Sequence, residues 1–276
     1  MMVVVAWACA GRRPRRGRAA LWTMVVAGAA AFCGPRRGAR GARRRFAQWP
    51  PVEAAPQPMN PFGDPSYWER MYEGRGDLAG EAYSWFCGFR DLEPFLRELA
   101  PAGGRVLVPG CGNDPSNVDL YDAGGYEALS LFDYSPEGVK RAEALFGDRP
   151  VDVRVADCRA LPYADAAFDV VLDKGTLDVL YLTSRDDLAR AATELARVAG
   201  PKAVVVSLSR VCPPELLLAA FPDDAWATLR DGSLAFSQDG HATTNLAADL
   251  YAWKRRERND ERATAAPHDG GGPRST

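Results

Sequence analysis

The sequence is short of the residues from which many catalytic centres are built. Only two histidines occur, His241 and His268, both late in the 276 residues. They are too few and too late for a histidine metal centre, so no metal is expected. The six cysteines (Cys9, Cys33, Cys87, Cys111, Cys158 and Cys212) contain no CxxC pair. That spacing argues against a disulfide frame and fits reduced thiols. No GxSxG elbow is present, which leaves a Ser-His-Asp hydrolase without support. Acids are missing from the first 52 residues, which hold eleven of the 34 basic residues and none of the 36 acids. The rest of the chain therefore carries 23 basic against 36 acidic residues. A folded part this acidic argues against nucleic acid held by its phosphates.

A long apolar run is also lacking. Residues 19–32 are apolar and alanine-rich, but a spanning helix needs about 20 residues, so no stable membrane anchor is expected in the mature form. With the basic run at residues 12–18, small residues at Ala29, Ala30 and Ala31, and arginines beyond, residues 1–52 read as a targeting segment. A signal followed by a transit-like segment resembles the bipartite plastid addresses of algae with secondary plastids. A mitochondrial presequence and a cytoplasmic chain with a misassigned start are the alternatives. Residues 53–66 form a proline-rich linker, and the charged, Gly- and Pro-rich residues 254–276 read as a disordered tail.

What is present is an alternation of strands and helices. Hydrophobic content of 47% with 25% charge is ordinary for a globular chain. Aromatics cluster at residues 67–72 (YWERMY) and 83–86 (YSWF), and apolar spacing predicts a helix over 85–99. Simple core packing or a lid over a ligand site would both account for those aromatics. Strands are expected at 105–109, 127–133, 151–156, 168–173 and 203–208. Helices are expected near 114–123, 135–146, 185–199 and 214–220, with Gly200-Pro201 as a stop. Short turns between them imply right-handed crossovers and a doubly wound, mostly parallel sheet. Residues 225–229 and 245–253 read as two antiparallel edge strands.

The chain is organised around residues 105–113, RVLVPGCGN. A buried strand runs into a turn where Gly110 and Gly112 leave no Cβ against a ligand. A dinucleotide fingerprint needs a third glycine, but Pro115 stands there, and Asp114 at the helix entry would repel a pyrophosphate. A cofactor without phosphates fits better. Asp133 ends one strand, where an acid can accept both hydroxyls of a ribose. Asp157 ends the next, placed for an adenine amine, and Asp173 ends a third, beside the reacting group. Any one of them would pass as a helix cap, but three at successive strand ends make coincidence less easy.

Together YWERMY (67–72), VLVPGCGN (106–113), FDYS (132–135), ADCRALPY (156–163) and FDVVLDKGTLDVL (168–180) carry a resemblance. The chain resembles the class I S-adenosylmethionine-dependent methyltransferases, and more narrowly the lysine methyltransferases of translation elongation factor 1-alpha. The resemblance covers residues 67–253 as one domain and implies a Rossmann-like, seven-stranded sheet with an antiparallel edge strand. It implies S-adenosylmethionine as cofactor and a protein or small molecule as methyl acceptor. It also implies that Gly110, Gly112 and Asn113 cradle the methionine part. Asp133 would take the ribose, Tyr134, Asp157 and Cys158 the adenine, and Lys174 the floor beside Asp173. Trp68, Tyr72 and Trp85 would close over the sulfonium, whose charge aromatic faces stabilise by ~0.5–2 kcal/mol. Asp173 or Asp178 would guide a proton from the acceptor. Methyl transfer to a protein lysine is the function implied. A small-molecule O- or N-methyltransferase and a non-catalytic cofactor-binding partner are the alternatives. Ser84 and Asp114-Pro115 depart from the family pattern, where an acid often precedes the tryptophan and a serine follows the asparagine.

Overall fold

The computed structural model describes residues 61–76, 82–100, 103–236 and 248–257. The expected targeting segment, residues 53–60 of the linker and residues 258–276 of the tail fall outside the described residues. Among the described residues, seven strands form one sheet: β1 (Arg105–Pro109), β2 (Ala128–Asp133), β3 (Asp152–Val155), β4 (Phe168–Lys174), β5 (Ala199–Ser209), β6 (Trp226–Phe236) and β7 (Ala248–Arg255). Their order is β3-β2-β1-β4-β5-β7-β6. The first five are parallel, and β7 runs antiparallel to both β5 and β6. The antiparallel edge is thus a pair, with β7 inside and β6 outermost.

Helices α1 (Pro65–Tyr72), α2 (Phe89–Leu99), α3 (Ser116–Ala123), α4 (Pro136–Phe146), α5 (Thr176–Thr183), α6 (Arg185–Val198) and α7 (Pro214–Ala220) surround the sheet. Strand residues alternate between two cores, as a period of two requires. Val106, Val108, Val170 and Val206 meet Leu92, Leu96 and Phe146 on one face. Leu107, Val171 and Val205 meet Leu188, Leu195 and Leu216 on the other. Helix α6 buries Leu188, Ala191, Ala192, Leu195 and Val198, one stripe at helical spacing.

Three expectations change. Helix α2 starts at Phe89 instead of 85, because Gly88 is its N-cap and Asp91 accepts from the Gly88 amide at 3.3 Å. Residues 83–88 are a strap. Strand β5 runs through the expected Gly200-Pro201 stop, with the surplus residues absorbed where its register against β4 shifts and Lys202 adopts φ +65°. Helix α5 was not expected; a left-handed Gly175 opens it directly after β4.

Sheet order reverses between β1 and β4, so the crevice for a ligand opens above the carboxyl ends of those two strands. The glycine turn leaves β1 at that point.

Candidate functional site

The turn is fixed from both sides. The Cys111 amide donates to the Phe132 carbonyl at 2.9 Å, and the Gly112 amide to Asp133 Oδ2 at 2.9 Å. Gly110 and Gly112 have φ of +57° and +46°, where L side chains are strained. A Cβ on Gly110 would lie 2.3 Å from Thr176 Oγ1, and one on Gly112 2.4 Å from the Tyr72 hydroxyl oxygen. Thr176 also donates to the Pro109 carbonyl at 3.0 Å. It braces the turn and was not picked out from the sequence, although it lies inside DKGTLD.

Asp133 is buried, and burial pushes its carboxyl up to about 6 against the opposing pull of the Ser135 and Gly112 amides. Oδ1 accepts from the Ser135 amide at 2.9 Å, and the Tyr72 hydroxyl stands 3.5 Å from Oδ2. A carboxylate offers about four lone-pair positions. The two short amide bonds leave acceptor capacity for a diol, so this donor set fits the ribose of S-adenosylmethionine.

Over the turn lies α1 with the preceding 3-10 turn (Pro61–Gly63). Asp64 caps α1, accepting from the Ser66 amide at 2.9 Å. The Trp68 indole N–H donates to the Phe62 carbonyl at 2.8 Å. Ring centroids are 5.7 Å apart for Trp68 and Trp85, 6.3 Å for Trp68 and Tyr72, and 5.4 Å for Phe62 and Trp85. The aromatics thus pack on one another as a cover over the turn, with Trp85 also packed against one of the two main cores. The Tyr134 hydroxyl donates to the Pro65 carbonyl, and Ser135 Oγ to Glu69 Oε2 at 3.0 Å. Both contacts pin α1 to the end of β2.

Asp157 follows β3, where Arg159 draws its carboxylate aside at 2.7 Å and holds its pKa below the usual range. Its side chain keeps 44% of its exposure and so still reaches solvent. Cys158 beside it is buried, which pushes the thiol well up. Asn113 is buried in the turn, and its carbonyl accepts from the Tyr83 amide at 3.3 Å.

The acids beyond β4 are differently placed. Asp173 is fully buried; Oδ1 accepts from the Thr176 and Leu177 amides at 2.8 and 3.3 Å, and Oδ2 from Ser207 Oγ at 2.6 Å. Burial pushes it up to about 7. Asp178 accepts from Ser209 Oγ at 2.5 Å and from the Arg210, Val211 and Cys212 amides at 2.8, 3.3 and 2.8 Å. The expectation that either acid guides a proton meets carboxylates already engaged by internal donors: Asp173 ties α5 to β5, and Asp178 folds the turn after β5. Ser207 and Ser209, their partners, carry no signal in a strand-like sequence.

Lys174 donates to the Cys87 carbonyl, Asp114 Oδ2 and Ser116 Oγ, each at 2.8 Å. The Asp114 charge expected to repel a phosphate is therefore paired, and the missing third glycine alone carries the argument against a pyrophosphate. Among the described residues no group of His, Cys, Asp and Glu could hold a metal ion, and no helix is long and apolar enough to cross a membrane.

Residues 107–207 match a family model described as a methyltransferase domain. EEF1A lysine methyltransferase 4 of Bos taurus is 33% identical over 177 residues, covering 59% of this chain and 67% of that protein. The eEF1A lysine and N-terminal methyltransferase of Mus musculus is 31% identical over 193 residues, 67% of this chain and 27% of that protein. The chain thus spans about a quarter of the mouse relative's length. Among solved structures, the N-methyltransferase NodS from Bradyrhizobium japonicum WM9 in complex with S-adenosyl-L-homocysteine has a TM-score of 0.54 at 15% identity. It covers 70% of this chain and 100% of that one, and shares the fold.

Proposed function

Because this chain belongs to the class I S-adenosylmethionine-dependent methyltransferases, we propose that it methylates a lysine side chain of a protein. The observation that carries the cofactor part of the reading is Asp133, a buried acid beneath the glycine turn with acceptor capacity to spare. Its neighbours on the same sheet edge support it. Gly110, Gly112 and Asn113 would pass the methionine part, with Tyr134, Asp157 and Cys158 along the adenine and Trp68, Tyr72 and Trp85 over the sulfonium. Bound there, S-adenosylmethionine supplies an electrophilic methyl group.

The chain's own task is then positioning and desolvation. A lysine ammonium near pKa 10.4 is about 3 units from deprotonation at neutral pH, a deficit of ~4 kcal/mol. Burial beneath the aromatic cover favours the neutral amine and shortens that gap. The protein-lysine acceptor is supported by what the bovine and mouse relatives are named for, and by a cover of apolar rings suited to an aliphatic side chain.

The test is methylation of a native extract with labelled S-adenosylmethionine, followed by mass spectrometry of the labelled species. Label on a protein lysine is expected. Label on a small molecule alone, or cofactor binding without transfer to any acceptor, would sink the reading. The plastid or mitochondrial address is part of the proposal, and a fluorescent fusion of residues 1–60 tests it: diffuse cytoplasmic fluorescence would contradict it.

A further inference from the structure

We propose that the buried Lys174–Asp114 ion pair is a clamp that positions the 83–88 strap over the glycine turn, so that Asp114, Ser84 and Lys174 act on the cofactor through the strap. The proposal rests on reading the turn as the S-adenosylmethionine cradle. Lys174 and Asp114 keep only 6% and 11% of their side-chain exposure, and their 2.8 Å contact is shielded from solvent. An ammonium has three N–H donors, and all three are used, on Asp114, Ser116 and the Cys87 carbonyl. Lys174 is therefore a positioning residue with no donor left for a ligand.

The strap it holds is strained. The Cys87 amide donates to the Trp85 carbonyl at 2.7 Å, and Phe86 between them has φ +63°, a left-handed conformation that a bulky side chain rarely adopts. Such a turn persists only where its surroundings over-determine it. Here Lys174 takes the Cys87 carbonyl, the Tyr83 amide reaches the Asn113 carbonyl, and Ser84 Oγ donates to Asp114 Oδ1 at 2.6 Å. The Phe86 ring seats on Gly175, where a Cβ would come within 3.1 Å of it. Trp85 is thereby set against Phe62 and Trp68. A buried pair is costly to break because one charge is left behind.

Since Ser84 and Asp114 touch, the acid can be moved across that contact. In the full chain, Asp114→Ser is compared with the transposed double variant Ser84→Asp/Asp114→Ser. The measurements are calorimetric S-adenosylhomocysteine affinity, hydrogen exchange of amides 83–88, and circular dichroism for fold. Asp114→Ser is expected to weaken binding at least tenfold and speed strap exchange at least tenfold, and the double variant to recover most of both. Wild-type binding and exchange in Asp114→Ser would overturn the clamp, as would a double variant no better than the single. Ser84→Ala covers the case in which Asp114→Ser does not fold: it removes only the hydroxyl link, with strap exchange expected to rise two- to fivefold, and no rise overturns the clamp. If the wild-type chain binds no S-adenosylhomocysteine, the cradle reading fails, while the exchange measurements still decide the clamp.

Discussion

The two sides of the glycine turn use the same residue type for different ends. On the β2 side, Asp133 takes two short amide bonds and only a long 3.5 Å contact from the Tyr72 hydroxyl. On the β4 side, Asp173 and Asp178 accept from seven donors between them, all from within the fold. In the sequence Asp133 and Asp173 look alike, each at the end of a parallel strand. The difference is in the neighbours. Beyond β4 a helix starts at once, and its free amides turn back onto Asp173. After β2, Ser135 caps α4 with its own hydroxyl, at 3.1 Å from the Gly138 amide, so Asp133 is released from that duty. At the end of β2 another residue has thus taken the cap, which on the proposed reading leaves Asp133 for the ligand.

The sharpest test of that contrast is Asp178→Ala. It would strand four internal donors, two of them buried, and is expected to lower unfolding stability by about 3–5 kcal/mol, read by denaturant titration. The folded fraction should still bind S-adenosylhomocysteine within about threefold of wild type. An equal loss of binding would erase the distinction between the two sides.

Asp133→Asn should do the reverse. Loss of charge-assisted acceptance from a ribose diol is worth about 1.5–3 kcal/mol, so calorimetry should show affinity falling by roughly 10- to 150-fold. Stability should change far less than in Asp178→Ala.

The smallest effect is in pH dependence. Asp133 near 6 and Asp173 near 7 lie above the ordinary carboxylate range of about 4. Between about pH 4 and pH 7 these two carboxyls therefore hold protons in the folded chain that they lose in the unfolded one, and their contribution to stability falls as pH rises through that window. Asp173→Asn keeps an acceptor for the Thr176 amide and removes the charge. Relative to wild type it should gain on the order of 2 kcal/mol between pH 4.5 and pH 7.5, measured by unfolding at the two values. A constant offset across pH would show that burial of the Asp173 charge is not what sets the slope.

Much of this fold was legible because its strands are short, β-branched and followed by turns, so β1, β2, β4 and α4 fall within a residue or so of their expected places. The site was legible where it depends on backbone freedom, as at Gly110 and Gly112. It was not legible where partners come from far along the chain. Ser207 and Ser209 reveal nothing until β5 pairs with β4, and the Ser84–Asp114 contact joins residues 30 positions apart. Trp85 and Phe86 fit a helical stripe by spacing alone; Gly88 and the left-handed Phe86 take them out of it.

The central claim is that the turn after β1 is an S-adenosylmethionine cradle. Calorimetric titration of S-adenosylhomocysteine into the wild-type chain and into Gly110→Arg tests it most directly, with circular dichroism to establish fold. The account predicts saturable binding to wild type and a loss of at least 100-fold in the variant, because a side chain at φ +57° would be forced into Thr176. A folded Gly110→Arg chain that binds with wild-type affinity would contradict it.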